Sequence, residues 1–460
     1  MNCLRCWYRA MVVSCLFLIP FTIRGQESTP VQDSTPVQGR TPVQEPTPVL
    51  ESAPDDSSIE TGLLADSPLA DPFAGKMTGK WFGARSALAE SGVTFDWDVT
   101  QFYFGTTTGG LEREFRYGGL GDYVTLLDFG KMGLAKGLFL KLRAQNRFGE
   151  TLAGATGALL SPTIAPDLPD PESNNVFLTN VLFTQFLSPR FGVFAGKLDT
   201  LDGDLNAFAH MRGKDQFSNI AFVSSPVALR TIPYVTVGTG FFILGKEQTP
   251  VFTFNVLNPV YTPGTSGLEN LFGEGVTLAS DLRLPTRVFG LPGHQLIGGT
   301  WSSRRYVGLD QDPRVILPSI PLARQNGSWS VYYNFDQFLH VDPTDPSKGW
   351  GLFGRAGLAD DATNPIEWFL SAGVGGNSPL RGRGNDRFGV GWHLTGTSDK
   401  IDPLLARLVG GLGNGQGVEL FYNFEVNPWF HITPDLQVII PAREQVDTSL
   451  VIGIRAKIDF

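Results

Sequence analysis

The sequence has 460 residues, a formal net charge of −9, 42% apolar residues, 54 Gly and 34 Phe. An acidic balance argues against a nucleic-acid partner, whose phosphates need a basic face, and a helical membrane protein would be far more apolar than a mean hydropathy near zero. A soluble α/β enzyme of this length would carry more Ala, Leu, Glu and Lys on its helices, whereas the Gly and Phe surplus suits strands, tight turns and aromatic girdles.

Residues 1–25 have the layout of a secretory signal, with Arg5 and Arg9 ahead of an apolar run at 11–21 that is too short to span a bilayer comfortably. Cleavage is placed near Gly25. Val12-Val13-Ser14-Cys15 weakly resembles a lipoprotein box, but the apolar run continues past Cys15, where a lipidated chain would turn polar. All three cysteines, Cys3, Cys6 and Cys15, lie in this segment, so no disulfide is expected in the mature chain and Cys3-x-x-Cys6 reads as chance. Residues 26–76 form a Pro-rich linker in which Thr-Pro-Val recurs at 29–31, 35–37, 41–43 and 47–49. Proline at this density favours extended conformations over helix or sheet. The tract reads as a disordered tail or, as the second reading, a spacer that contacts the cell wall.

From residue 77 to 460 the chain reads as one β-barrel domain. A short helix is expected at 83–92, stopped by Gly92. Period-two alternation follows. Val93, Phe95, Trp97 and Val99 oppose Thr94, Asp96, Asp98 and Thr100; Leu138, Leu140, Leu142 and Ala144 oppose Phe139, Lys141, Arg143, Gln145 and Arg147. Trp329, Val331, Tyr333 and Phe335 oppose Ser330, Tyr332, Asn334 and Asp336; Val418, Leu420, Tyr422 and Phe424 oppose Glu419, Phe421, Asn423 and Glu425. Each run has the length of a tilted membrane strand. Charges at this density would be costly in a dry sandwich core but are comfortable against a water-filled lumen. The stretches 151–175 and 199–225 are too long for hairpins and are expected as outer loops, one of them folding inward to narrow the pore.

The chain ends on a faultless alternation at 450–460, with Leu450, Ile452, Ile454, Ala456, Ile458 and Phe460 on one face and Gly453, Arg455, Lys457 and Asp459 on the other. Such a strand needs a partner, and a closed barrel supplies the first strand, at 93–103. The fold class is therefore all-β: a transmembrane antiparallel β-barrel of the outer membrane with a short N-terminal helix. About 20 to 25 residues per strand and connection give about sixteen strands, with fourteen and eighteen as neighbours. A barrel of that size leaves a channel.

Four runs carry a resemblance: MTGKWFGARSALAESGVTFDWDVTQFYFGTTTGG (77–110), FRYGGLGDY (115–123), LDTLDGDLNAFAHMRGKDQFSN (198–219) and YNFEVNPWFHITPDLQVIIPA (422–442), followed by the terminal strand. Together they resemble the carbohydrate-selective porins of the OprB family over nearly all of 77–460. The resemblance implies a sixteen-stranded outer-membrane porin for passive uptake of mono- or disaccharides. Its partners would be small sugars as permeating solutes and outer-membrane lipid. General porins commonly trimerise, so a homotrimer is an assembly to test. The Pro-rich insertion departs from the pattern.

Sugar passage wants paired donors, carboxylate acceptors and some aromatic surface. The inward faces supply Asp96, Asp98, Arg143, Arg147, Asp336, Glu419 and Glu425, with Tyr332 and Phe421 between them. For any one of them the plainer reading, a charge that keeps the lumen wet, is the stronger. A general non-selective porin is the alternative function. Catalytic readings are weaker still. His210, His294, His340, His393 and His431 lack metal-ligand spacing, and His431 in Pro428-Trp429-Phe430-His431 reads as an interfacial girdle residue. Gly410-Gly411-Leu412-Gly413-Asn414-Gly415 has no βαβ context and reads as a turn. Asp96 and Asp98 share one strand face and cannot flank a sugar as a glycosidase pair must. No cofactor, metal or enzymatic activity is expected; a barrel enzyme and a secreted carbohydrate-binding protein are the remaining alternatives.

Overall fold

The computed structural model describes residue 73 and residues 75–460, apart from 204, 318 and 409. The expected signal, its three cysteines and the Pro-rich tract up to residue 72 lie outside the described residues.

Among the described residues the alternating runs become sixteen antiparallel strands. They are β1 (Val93–Thr108), β2 (Phe115–Asp128), β3 (Leu138–Gly149), β4 (Phe177–Ser188), β5 (Phe191–Asp199), β6 (Val235–Leu244), β7 (Pro250–Leu257) and β8 (Thr277–Val288), then β9 (Leu291–Val307), β10 (Arg324–Val341), β11 (Gly349–Ala359), β12 (Ile366–Asn377), β13 (Arg387–Thr397), β14 (Gly415–Asn427), β15 (Phe430–Ile440) and β16 (Ser449–Asp459). Each pairs with its neighbours in sequence, and β16 returns to β1, so the sheet closes and no edge is left bare. The closing pair sets Asp98 opposite Asp459 and Tyr103 opposite Ile454, as the terminal alternation requires.

Pleating decides which side chains meet the bilayer. Ile452 and Ile454 are 42% and 46% exposed, whereas Arg455, the next residue along, is fully buried in the interior. Trp329, Val331 and Tyr333 likewise point out while Ser330 and Asp336 point in. A one-residue slip would exchange these sets and set guanidinium groups in hydrocarbon, at roughly 2–4 kcal/mol each near the midplane.

The two rims differ. At the rim where the described chain begins and ends, turns are as short as residues 189–190, 289–290 and 428–429. Phe289 and Gly290 both take positive φ, 53° and 79°, the twist that lets a two-residue turn join twisted strands. A short helix, α1 (Ala84–Glu90), precedes the barrel inside the expected 83–92. It ends at Gly92, φ +94°, where a Cβ would meet Asp128 O at 2.6 Å, so both conformation and space exclude a side chain. Arg85 of α1, 2% exposed, donates from Nη2 to Phe95 O at 2.8 Å and to Phe460 O at 2.9 Å, binding the helix across the barrel seam.

At the opposite rim, residues 150–176 and 200–234 are long, and both turn inward. The second carries a single helical turn, α2 (Ile220–Val223), capped by the Asn219 side chain accepting from Ala221 N. Phe208, Phe217 and Phe222 pack on Phe353 of β11, Phe369 of β12 and Phe421 of β14, with Leu160 and Leu168 of the first segment joining them. A second cluster sets Leu152, Ala155 and Ala165 against Phe102, Phe104, Leu120, Ile439 and Val451. Only one stretch was expected to fold inward. Both do, because each brings apolar side chains that the inward aromatics of the wall can bury.

Candidate permeation site

The inward polar residues of β1, β2, β3 and β5 face the polar half of the 200–234 segment. Arg143 on β3 lies 3.1 Å from Asp122, 3.4 Å from Asp199 and 2.7 Å from Asp202. Arg212 meets Asp199 at 2.5 Å and Asp202 at 2.6 Å, and Lys214 meets Asp98 at 2.5 Å and Asp122 at 3.0 Å. Lys141 adds a contact to Asp202 at 2.6 Å. Cations and carboxylates are thus interleaved, each cation touching at least one acid. Burial alone would push the Asp202 carboxyl up, but Arg143, Lys141 and Arg212 hold it well below the usual carboxylate range. Burial would pull Lys214 down, yet Asp122 and Asp98 hold it above the ordinary lysine value. The network reaches accessible lumen at Asp202 and Lys141, whose side chains are 31% and 29% exposed.

The sequence candidates fall into four groups. Asp98 and Arg143 belong to this network. Asp96 lies near the short-turn rim with Lys76 at 2.5 Å, and Glu425 is at the same end, accepting from Asn385 at 2.8 Å. Tyr332 and Asp336 stand on β10: Tyr332 donates to Asp281 at 2.8 Å, and Asp336 accepts from His294 Nδ1, 2.8 Å away, with Arg283 at 3.7 Å. The remaining three hold the inward segments. Glu419 accepts from Ser218 N and Asn219 N at 2.5 and 3.0 Å. Phe421 meets Phe217 edge-on at 4.9 Å. Arg147 donates to Pro166 O and Pro171 O at 2.8 and 2.6 Å.

Other arginines act as Arg147 does. Arg455 on β16 donates to Gly213 O and Gln216 O, both at 2.6 Å. Arg355 on β11 donates to Phe222 O at 2.9 Å and to Ala209 O. A guanidinium has five donors in a rigid fork, which suits it to holding peptide carbonyls in a dry setting. His431 corrects the sequence reading: it turns inward, its Nδ1 2.9 Å from Asn423 Oδ1, rather than joining an interfacial girdle. Asp122, Asp199, Asp202, Arg212 and Lys214 were missed as site residues, although all five lie in the runs at 115–123 and 198–219. Alternation could not select Asp202, Arg212 and Lys214, because they lie outside the strands. Among the described residues no three His, Cys, Asp or Glu side chains are placed to hold a metal ion.

Comparison with known proteins agrees with this architecture. A family described as carbohydrate-selective porin, OprB family, matches residues 112–460. Residues 26–54 match a repeat of unknown function described from Schizosaccharomyces pombe. Porin B of Pseudomonas aeruginosa is 24% identical over 446 residues, covering 87% of this chain and 95% of that protein. The high-pH structure of Pseudomonas putida OprB superposes with a TM-score of 0.72 at 22% identity, covering 84% of this chain and 99% of that one. The low-pH structure of the same protein gives 0.51 at 17% identity, covering 84% and 98%.

Proposed function

The chain belongs to the OprB family of carbohydrate-selective porins and is an outer-membrane β-barrel porin, and from that premise we propose that mono- or disaccharides diffuse passively past the interleaved network on β1–β5. One observation carries the reading: the charges at the passage are paired with each other. A lumen with cations on one wall and acids on the other sets up a transverse field that sorts ions. Here Arg143, Arg212 and Lys214 alternate with Asp98, Asp122, Asp199 and Asp202 at contact distance, so their fields cancel within a few ångströms. What the network presents to the lumen is its accessible edge at Lys141 and Asp202, a donor and an acceptor suited to neutral hydroxyls. Within this reading Asp98 and Arg143 act at the passage, Asp96 and Glu425 at the short-turn mouth, and Tyr332 with Asp336 on the facing wall. Arg147, Glu419 and Phe421 shape it by holding the inward segments.

The chain acts as a channel, with no catalytic step. Its outward apolar face, including Tyr103, Trp301 and Ile454, suits outer-membrane lipid. The proposal extends to removal of residues 1–25, to contact of the 26–76 tract with the cell wall and to assembly as a homotrimer. N-terminal sequencing and crosslinking in whole cells test these three. The central test is liposome swelling with purified protein. Mono- and disaccharides should enter faster than amino acids of equal size; equal rates would leave only a general porin.

A further inference from the structure

Lys214 has a geometry that the network does not explain by itself. It is not on a strand but on the inward segment, and its ammonium reaches across to Asp98 of β1 at 2.5 Å and Asp122 of β2 at 3.0 Å. Asp122 has two further cations, Arg143 at 3.1 Å and Arg212 at 3.8 Å. Asp98 has Lys214 as its hydrogen-bonded cation, with Thr100 Oγ1 as a weaker donor at 3.3 Å. The backbone on either side of Lys214 is fixed. Arg455, fully buried, holds Gly213 O and Gln216 O, the carbonyls that bracket it. Lys457 holds Asp215, the next residue, at 2.9 Å. Four strand residues thus position one loop ammonium: Asp98 and Asp122 receive it, Arg455 holds the carbonyls on either side and Lys457 holds the neighbouring Asp215 side chain.

An ammonium in this position carries one positive charge and three donors, and so neutralises the two carboxylates where a bound monovalent cation otherwise would. With it in place, the carboxylates offer no open charge to a mobile ion. We propose that Lys214 is the specificity-determining residue of the passage, a tethered cation that occupies the Asp98–Asp122 seat, excludes mobile cations from it and leaves the lumen to neutral solutes, with Arg455 as its positioning residue. The proposal deepens the reading of the channel as sugar-selective and rests on it only for the identity of the solutes.

The test is ion selectivity of the full mature chain in planar bilayers, read as the reversal potential across a KCl gradient at neutral pH. Lys214→Ala empties the seat and leaves Asp98 without its ammonium, so the permeability ratio of potassium to chloride should rise roughly threefold or more. Lys214→Arg should return the ratio to the wild-type value. The double variant Lys214→Ala/Asp98→Asn removes the uncovered acid and should cancel most of the rise. Arg455→Gln should move the ratio in the same direction as Lys214→Ala, by less. A Lys214→Ala channel with the wild-type ratio overturns the proposal. So does a rise that Asp98→Asn leaves untouched, because that pattern means the segment has simply left the lumen. Swelling assays on the wild type separate the two claims: if sugars fail to outpace amino acids while the Lys214 shift is present, the sugar reading falls and the tethered cation stands.

Discussion

The inward segment at 200–234 has two halves that meet the barrel in opposite ways. Against β11–β14 it is dry: Phe217 lies 4.6 Å from Phe222 and 5.2 Å from Phe353, ring centre to ring centre. Against β1–β5 it is ionic, with Arg212 and Lys214 set among four aspartates. One wall provides adhesion and the other provides chemistry. Hydrophobic contact is non-directional and tolerates small shifts, whereas charge-assisted hydrogen bonds lose strength within a fraction of an ångström. A segment anchored on its dry side can therefore present its charged side to solutes without depending on those charges for its own placement.

The largest perturbation should come from the dry half. Phe217→Ala removes the ring at the centre of the cluster and should cost about 3–5 kcal/mol of segment stability. Unitary conductance should rise and larger sugars should enter liposomes. Next is the staple on the same side. Arg355→Met leaves the carbonyls of Ala209 and Phe222 without their donor, at about 2–3 kcal/mol, and protease nicking within 200–234 should quicken.

The neighbouring segment supplies a pH lever of about 3 kcal/mol. Burial pushes the Asp167 carboxyl up to about 6, against hydrogen bonds from Ser161 and Thr151 and the nearby Arg147. Folded, it stays protonated to about pH 6; unfolded, it ionises near pH 4. The stability it contributes is thus full below about pH 4 and is lost as pH rises through 6. Hydrogen exchange across 150–176 should show better protection at about pH 4.5 than at about pH 7, and Asp167→Asn should flatten the difference. The smallest energetic effect belongs to the ionic half. Asp202 is partly solvated, so Asp202→Asn should cost less than about 1 kcal/mol. It nevertheless leaves Lys141, Arg143 and Arg212 short of a carboxylate, and reversal potentials should shift toward chloride.

Much of the barrel was legible in the alternation. The 418–426 run and the terminal strand place each side chain on the face it occupies, because a period of two permits only two faces. What alternation cannot report is whether the inner face meets water or protein. Glu419 and Phe421 read as lumen residues, and they are inward, but they meet Ser218 and Phe217 instead of open channel. The same limit hides the arginine staples. Arg455 and Gly213 are joined at 2.6 Å although they are far apart in the chain, and nothing local to either residue marks the pair. His431 was misplaced because an aromatic-rich turn suggests an interface, while its strand phase, opposite Glu425, sets it inward.

Arg85 carries a consequence for assembly. Its guanidinium bonds at once to Phe95 O on the first strand and to Phe460 O at the end of the last, while Met77 N donates to Asp459 O at 2.7 Å. Those acceptors come together only after the ring has closed. The helix is therefore a late-docking latch, and its seating records that the final strand has arrived. The described chain therefore enters and leaves the barrel at the seam, on the rim where α1 is docked.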